Sequence, residues 1–418
     1  MSISSLVRAT QNKLYVEGVP LAHIATEFGT PSYVYSKAAL VQAYVDFTTA
    51  FATRHTLVCY AAKANSNLAI LGLFAKLGAG FDIVSEGELL RVLAAGGDPR
   101  KIVFSGVGKR TDEMRTALRH NILCFNVESE PELLRLAQIA GDMGTRAPIS
   151  IRVNPDVDPK THPYIATGLK ENKFGVAFED ARALYRTAST FPSIQIIGID
   201  CHIGSQITEI SPFADALDKV LQLVDQLASD GISLDHIDLG GGIGIRYKDE
   251  EPIAINDYAA TLYGRLQGRN VRLIFEPGRS LVGNAGLLLT RVEYIKQGGD
   301  RRFAIVDAAM NDLIRPALYD AYHEVVAVAP RTEQAALLYD IVGPVCESGD
   351  FLARQRMLAI ESGDLLAVLS AGAYGSVMSS NYNTRPRPAE IMVDGTTTHL
   401  IRSRESVQDL YAHEKLLP

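Results

Sequence analysis

Residues 56–65, which read TLVCYAAKAN, place a lysine just after a short apolar run. The β-branched and apolar side chains of this run predict a buried strand, and Lys63 follows directly after it. A lysine that emerges from a buried strand is partly desolvated, which makes its amine a candidate nucleophile toward an aldehyde. The alternative is a lysine that only reaches solvent along its aliphatic stem. The rest of the chain decides between them.

The strand before Lys63 is the first of eight. Short apolar runs alternate with stretches of helical period, at residues 56–62, 80–84, 102–105, 122–126, 149–153, 195–202, 236–239 and 272–276. Eight strands that alternate with helices predict a parallel sheet, and eight is the number that closes a (β/α)8 TIM barrel. We therefore expect an α/β barrel over residues 31–276, with an open doubly wound sheet as the competing architecture.

The pattern changes after Pro277. Apolar runs continue without long helices between them, at residues 286–294, 302–307, 323–328, 364–369 and 391–394. Residues 277–418 are therefore predicted to form a mostly antiparallel β domain, a sandwich or a barrel. A barrel that begins near Pro31 leaves residues 1–30 unplaced, and their run 14–16 is expected to add a strand to this β domain.

Composition narrows the class of protein. The 418 residues are 47% hydrophobic and 21% charged with a formal net charge of −7, as in a soluble globular protein. Lys and Arg do not form a stripe, so the sequence does not indicate a nucleic acid or a membrane surface as partner. No leader pattern and no apolar run near about 18 residues is found, so we expect a cytoplasmic protein. The cysteines lie far apart, which indicates neither a metal site nor a disulfide framework.

Polar residues gather where the predicted strands end. Side chains at the carboxyl ends of barrel strands converge on one face, and here they are Lys63, Asp82, Ser105, Asn154, His202, the triplet 240–242 and the stretch 276–279. Three successive glycines let backbone N–H groups approach an anion such as a phosphate, although glycine turns are also common elsewhere. Ser205 offers a hydroxyl to the same anion. The shared location predicts a phosphate-bearing ligand.

Glu276 and His202 indicate what kind of ligand this is. A carboxylate that faces a pyridine nitrogen keeps that nitrogen protonated and makes the ring a strong electron acceptor, as decarboxylation requires. An arginine in that position favours racemisation, so Glu276 argues against a racemase. The flat imidazole of His202 is suited to stacking on such a ring. The plainer interpretations are an acid that caps a turn and a core histidine.

Taken together, the motifs resemble those of the fold-type III pyridoxal-phosphate-dependent decarboxylases, in order and over nearly the whole chain. The resemblance rests on residues 60–65, 172–175, 202–206, 240–242, 276–279, 307–319, 346–350 and 373–376. Within the family, it is greatest to the branch that acts on diaminopimelate. Ornithine decarboxylases share several of these motifs but usually have Cys-Asp where this chain has Cys346-Glu347.

The resemblance implies a role for each matching residue. Lys63 forms the Schiff base with pyridoxal 5'-phosphate, His202 packs on the ring and Glu276 pairs with the pyridine nitrogen. The residues implied around the rest of the cofactor are Asp82, Ser205, Gly241, Gly242, Pro277, Gly278, Arg279 and Tyr374. Tyr374, placed by the sequence at the start of a predicted helix, is also implied near the substrate, against the alternative of a core tyrosine.

The substrate pocket follows from the chemistry of meso-2,6-diaminopimelate, which carries an amino acid group at each end. Arg279, Arg315 and Tyr319 are candidates for the non-reacting carboxylate, and Glu347 for the ammonium group. The spacing of Arg315 and Tyr319 predicts one face of a helical turn. Ornithine or arginine offers no distal carboxylate for two arginines, which favours the diacid.

The final protonation needs a donor, and Cys346 lies in a polar, glycine-bearing turn where a thiol is accessible. The family supplies this cysteine and Glu347 across a subunit interface, which implies a homodimer with shared sites. Two alternatives stay open at this point. One is a related decarboxylase of ornithine, arginine or a carboxylated polyamine precursor, and the other is a non-catalytic cofactor-binding protein.

Overall fold

The structure, a computed structural model, describes residues 6–10, 12–158 and 173–418. The chain forms two compact units. The barrel unit comprises Tyr44–Ile245 and Glu251–Ser280, and the β unit comprises Met1–Ala43, Arg246–Glu250 and Leu281–Pro418. The short segment Arg246–Glu250 therefore interrupts the barrel sequence but belongs to the β unit.

The chain begins with short strands and two helices. They are β1 (Val7–Thr10), β2 (Lys13–Val16), β3 (Val19–Pro20), α1 (Leu21–Phe28), β4 (Ser32–Ser36) and α2 (Lys37–Ala50). Strands β1, β2 and β3 pair antiparallel as a sheet of their own.

Nine strands follow in the barrel unit. They are β5 (Thr56–Ala61), β6 (Gly80–Ile83), β7 (Ile102–Phe104), β8 (Cys124–Val127), β9 (Ala147–Asn154), β10 (Val176–Ala177), β11 (Ile194–Asp200), β12 (His236–Asp238) and β13 (Arg272–Phe275). All except β10 form a closed ring of parallel strands in the order β5-β6-β7-β8-β9-β11-β12-β13, and β13 returns to β5. Strand β10 adds a short parallel pairing outside the ring, on β9. The predicted (β/α)8 barrel is confirmed, with all eight strands at the expected places.

Seven helices alternate with these strands. They are α3 (Leu68–Lys76), α4 (Glu86–Ala94), α5 (Thr111–Arg119), α6 (Glu130–Asp142), α7 (Phe178–Ser189), α8 (Ser211–Ser229) and α9 (Ile255–Arg265). Several begin with a side-chain cap: Ser85 accepts from the N–H of Glu88 and Ser129 from that of Glu132. Such caps satisfy backbone donors that the first turn leaves without partners, which fixes where each helix starts after its strand.

Inside the barrel, apolar side chains form one layer and acidic side chains lie in another, closer to the carboxyl ends of the strands. Buried residues from five strands form one apolar cluster, and the list is Leu57, Cys59, Val103, Cys124, Ile197 and Ile274. Side chains from strands that are not neighbours meet in this way only inside the ring. The polar residues lie further along the strands, toward their carboxyl ends.

The remaining elements complete the β unit. They are α10 (Arg279–Val282), β14 (Gly286–Gly298), β15 (Arg301–Val306), α11 (Arg315–Tyr319), β16 (Val325–Ala327), β17 (Leu337–Val342), β18 (Phe351–Leu358), β19 (Leu365–Val368), β20 (Ala389–Asp394), β21 (Thr397–Arg402) and α12 (Val407–Tyr411). Strands β14–β21 and β4 form one nine-stranded sheet that is mostly antiparallel, with parallel pairs only at β15–β17 and β20–β4. The predicted β domain is confirmed.

The N-terminal residues complete this unit, as expected. The run 14–16 adds strand β2, which pairs with β1 and β3 in a small sheet, while Ser32–Ser36 is the N-terminal strand that enters the large sheet. The small sheet packs on the large one, because Leu14 and Val16 share an apolar cluster with Leu289 and Ile391. Strands β17 and β18 were not expected at all.

Strand β18 was not predicted because its sequence, FLARQRML, contains three polar residues in succession and because the strand has a bulge. Its central residue Gln355 has a positive φ of 55°, and the pairing with β17 shifts register nearby. The consequence matters for function, since β17 and β18 make residues 343–350 the loop of a hairpin. None of the described helices combines the length and the apolar character needed to cross a membrane.

Candidate active site

Lys63 stands in a single 3-10 turn, Ala62–Ala64, that follows β5 directly. Its Nζ donates a short hydrogen bond to Oδ2 of Asp82, a fully buried residue of the neighbouring strand β6. The parallel register sets Asp82 beside Ala61, so the two strands themselves position this pair. The other carboxylate oxygen of Asp82, Oδ1, is buried and has no hydrogen-bond partner in the described part of the chain.

Three more buried carboxyl groups lie together at the same end of the barrel. Asp200, Asp238 and Glu276 each offer an oxygen within 4.8 Å of the others, and each is at most 6% exposed. Burial and the neighbouring carboxylates raise the pKa of Glu276 well above its ordinary value, an effect that Lys63 partly offsets. Burial likewise raises the pKa of Asp238 to about 7. The cluster therefore favours any ligand that brings a positive charge.

Glu276 is held in place by two neighbours. Its Oε1 lies 3.3 Å from the amide nitrogen of Asn126 and 3.4 Å from the hydroxyl of Ser105, and the same amide lies 3.1 Å from that hydroxyl. Both residues come from strand ends that the sequence placed on this face. Sequence reasoning named Ser105 but missed Asn126, although the end of its predicted strand, 122–126, was a usable signal.

His202 lies at the mouth of the barrel beside the glycine triplet. The N–H of Gly241 donates to its Nδ1 at 3.1 Å, so Nδ1 carries no proton and the ring is neutral with its hydrogen on Nε2. Burial lowers the pKa of His202 well below its ordinary value, and the charges of Arg152 and Lys63 act in the same direction. A neutral, fixed imidazole offers a flat face to an aromatic ligand.

The glycine triplet is closely packed. A Cβ on Gly241 would lie 2.2 Å from the carbonyl oxygen of Glu276, and one on Gly242 would lie 2.3 Å from that of Gly204. Gly242 also has a positive φ of 104°, which L-residues with a side chain rarely adopt. The turn thus requires glycine, and the absence of side chains would let an anion approach the backbone closely.

Arg279 and Ser205, which were predicted to bind the same anion, lie beside this turn. Arg279 Nη2 donates to the hydroxyl of Ser205 at 3.1 Å. The stretch 277–278 packs on β5, because the carbonyl of Pro277 accepts from the N–H of Ala61 and a Cβ on Gly278 would lie 3.0 Å from that of Ala64. All ten site residues expected in the barrel unit are therefore brought to one end of it: Lys63, Asp82, His202, Ser205, Gly241, Gly242, Glu276, Pro277, Gly278 and Arg279.

The other five candidates belong to the β unit. Arg315 and Tyr319 are the first and last residues of α11, as the spacing predicted. Cys346 and Glu347 are exposed in the hairpin loop 343–350, whose shape Asp350 maintains by accepting from the N–H groups of Met310 and Val345. The accessible thiol differs from Cys59, Cys124 and Cys201, which are all buried.

Tyr374 is not at the start of a helix, which corrects the prediction. Its backbone has a positive φ of 54°, and the nearest helical element is a single 3-10 turn, Ser376–Met378. The glycine that follows is not helical either: Gly375 has φ −93° and ψ −93°, so helical backbone begins only at Ser376. Of the motif 172–175, Asn172 lies outside the described residues.

Comparisons with known proteins agree with this site. The family model for the pyridoxal binding domain of pyridoxal-dependent decarboxylases matches residues 37–283. Fold and site together define a pyridoxal-dependent decarboxylase. The diaminopimelate decarboxylase of Pseudomonas aeruginosa is 61% identical over 97% of this chain and 98% of its own length. That of Vibrio cholerae is 56% identical over 97% of each chain.

Solved structures give the same result. The crystal structure of diaminopimelate decarboxylase from Helicobacter pylori, complexed with L-lysine, superposes with a TM-score of 0.91 at 44% identity, over 94% of this chain and 98% of that chain. The chain belongs to the diaminopimelate decarboxylase family. The resemblance stated from the motifs alone is thereby confirmed.

Proposed function

We propose that this protein decarboxylates meso-2,6-diaminopimelate to L-lysine and CO2, the last step of lysine biosynthesis, with pyridoxal 5'-phosphate as its cofactor. The observation that carries the proposal is the pairing of Lys63 with the buried Asp82 at the same barrel end as the buried Glu276. Family membership supports the substrate.

The residues present fit this cofactor. Its aldehyde needs an amine, which Lys63 offers at a strand end, and its phosphate needs close backbone approach, which the packed glycine turn provides. Its pyridine nitrogen needs a carboxyl group, and Glu276 is buried where a cation is favoured. The unsatisfied Oδ1 of Asp82 also indicates a polar ligand at this end of the barrel.

The chain's own residues divide the work. Pyridoxal phosphate, when bound, supplies an aldehyde that reacts with amines and a ring that accepts electrons as the carboxylate leaves. Lys63 Nζ would hold the aldehyde group of the cofactor, and Asp82 Oδ2 accepts the hydrogen bond of Nζ. Glu276, whose pKa is raised by burial and by the neighbouring carboxylates, would pair with the pyridine nitrogen and stabilise the proton between them.

The β unit supplies the groups for substrate selection and protonation. Arg315 and Tyr319, with Arg279 of the barrel unit, bind the distal carboxylate, and Glu347 binds the ammonium group beside it. Cys346 Sγ donates the proton that replaces the departed carboxylate. Tyr374 is assigned to the phosphate and the substrate. These roles follow from the family resemblance, with the accessibility of the hairpin loop as support.

We further propose a homodimer in which Cys346 and Glu347 of one subunit complete the site of the other. In this assignment, residues 31–276 bind the cofactor, while residues 1–30 and 277–418 contribute the substrate-binding and proton-donating groups. A proton donor on a projecting hairpin loop suits delivery to a neighbouring subunit. A cytoplasmic location stays a prediction of the sequence.

A competition assay tests the function. Purified protein with pyridoxal phosphate is offered meso-diaminopimelate, its LL isomer, ornithine and arginine together, and each product is quantified by mass spectrometry. We expect lysine, formed from the meso isomer, as the product. Formation of putrescine or agmatine would agree with the assigned cofactor but overturn the assigned substrate pocket. The absence of any product would overturn the activity itself.

A further inference from the structure

Arg315 is held in a buried cluster of three side chains that the sequence did not reveal. It is 7% exposed, its Nη1 lies 3.0 Å from Nε2 of His323, and its guanidinium carbon lies 4.6 Å from the centre of the Tyr247 ring. The rings of Tyr247 and His323 meet edge to face, with centroids 5.4 Å apart at 80°. All three residues belong to the β unit.

The hydrogen bonds of His323 fix its tautomer. Its Nδ1 lies 2.9 Å from the carbonyl oxygen of Leu369, which can only accept, so Nδ1 carries the hydrogen. In the neutral ring, Nε2 is then an acceptor, and it accepts from Arg315 Nη1. His323 is fully buried, so this orientation is fixed on both sides of the ring.

The cluster limits how the guanidinium can turn. An arginine side chain loses rotamer entropy on binding a carboxylate, unless its planar group is already held. The face of Tyr247 sets the plane of the Arg315 guanidinium, and the acceptor on His323 sets its rotation within that plane. A planar fork held in this way is prepared for two parallel hydrogen bonds to a carboxylate.

The backbone supports the same arrangement. Helix α11 ends after one turn because Asp320 adopts a left-handed conformation with φ 50°, which returns the chain toward its start. The N–H of Ala321 then bonds to the carbonyl of Arg315 at 3.4 Å. His323 is thereby brought beside the first residue of the helix.

We propose that His323 is a positioning residue for substrate recognition: it holds Arg315, together with Tyr247, in the orientation that binds the distal carboxylate of the substrate. This inference rests on the proposed function, since it presumes that Arg315 binds that carboxylate. It predicts that removing the acceptor on His323 weakens ligands that carry the carboxylate and spares those that lack it.

The test compares two ligands that differ only in that group. L-Lysine retains the carboxylate of the non-reacting end, and cadaverine is the same diamine without it. Binding of each to the holoenzyme is measured by calorimetry for the wild type, His323→Asn and His323→Gln. The Asn amide can still donate to Leu369 but does not reach Arg315, whereas the Gln amide reaches the position of Nε2.

We expect His323→Asn to weaken L-lysine about tenfold, the size of a lost hydrogen bond to a charged group, with cadaverine unchanged. His323→Gln should recover most of the lost affinity. For meso-diaminopimelate, KM should rise in His323→Asn by a larger factor than kcat falls. Unchanged L-lysine affinity, or equal weakening of both ligands, would overturn the inference.

Two further variants keep the test decisive. If His323→Asn does not fold, Tyr247→Leu removes the ring face instead, and it should weaken L-lysine more than Tyr247→Phe does; equal effects would contradict the proposal. His236→Asn is the matched control, because His236 is a buried histidine of the barrel unit that contacts Ser150. A wild-type protein that forms no lysine would instead overturn the proposed function.

Discussion

The site residues of the barrel unit and those of the hairpin loop in the β unit differ in how firmly the fold holds them. Asp82, Asp238 and Glu276 are buried, and each accepts a hydrogen bond: Asp82 from Lys63, Asp238 from the N–H of Gly240, and Glu276 from the amide of Asn126. Cys346 and Glu347 are exposed on a loop. The fold itself therefore creates the acidic environment at this end of the barrel, whereas the two groups that we propose complete the reaction are accessible, as delivery to another subunit would require.

Arg315 occupies an intermediate position in this comparison. It belongs to the β unit like the hairpin loop, but it is buried and oriented by His323 and Tyr247. If Arg315 binds the distal carboxylate as proposed, its orientation is built into the fold of the β unit, whereas Cys346 and Glu347 lie on the exposed loop.

The largest expected effect is at Lys63. Lys63→Ala should lower turnover at least about a thousandfold, because no other described group replaces the amine that holds the aldehyde. Steady-state assays and the visible absorbance of the lysine-linked cofactor measure this. Lys63→Arg is the matched control, since it keeps a positive charge beside Asp82 but forms no such bond. Turnover retained in either variant would remove Lys63 from the mechanism.

Cys346→Ala tests the proposed role of the exposed hairpin loop. We expect kcat to fall by about a hundredfold or more, as for the loss of a general acid, while cofactor absorbance stays normal. Cys201→Ala removes a buried thiol and serves as control, with turnover close to that of the wild type. Near-normal kcat in Cys346→Ala would mean that another group donates the proton.

The buried carboxyl groups of the barrel unit predict an unusual dependence of stability on pH. Asp238 keeps its proton in the folded protein up to a pKa of about 7, whereas in the unfolded chain it loses it near pH 4. Since the folded state then binds more protons, the cofactor-free protein should lose stability as pH rises from about 4 to about 7, on the order of 4 kcal/mol for this group.

Asp238→Asn should remove this loss. Its melting temperature without cofactor should exceed that of the wild type at neutral pH and approach it near pH 4. Asp235→Asn, which removes the same charge from an exposed position, should leave the pH dependence as it is. Equal pH dependence in the wild type and Asp238→Asn would show that Asp238 is ionised in the fold.

The smallest effect concerns the glycine turn. Gly241→Ala should cost about 1–3 kcal/mol of stability through overpacking against the carbonyl of Glu276, and should weaken cofactor binding. Gly264→Ala, in the last turn of α9 with no atom within 4 Å of the added Cβ, is the control and should be neutral or slightly stabilising. Comparable cofactor affinities in the two variants would contradict the role of the turn.

The sequence was sufficient for the barrel because eight short apolar runs alternate with stretches of helical period, and the polar residues that follow such runs, as Lys63 does, indicated the site. It did not reveal Asp200 or Asp238 as site residues, since their importance arises only when β11 and β12 pair side by side. His323 and Tyr247 were missed for a similar reason: they are 76 positions apart, and only the fold brings both to Arg315. Tyr374 shows the opposite failure, because a local pattern suggested a helix where the backbone of Tyr374 and Gly375 is not helical.

The most direct test of the account mixes two inactive variants. Lys63→Ala lacks the amine of the barrel site, and Cys346→Ala lacks the proton donor of the hairpin loop. Subunits of both are unfolded and refolded together, and pull-down through two different tags verifies that mixed oligomers form. If the site is shared between subunits, lysine formation from meso-diaminopimelate should reappear in the mixture, because one site per mixed dimer is intact. Mixed oligomers without activity would contradict a site shared between the barrel of one subunit and the loop of the other.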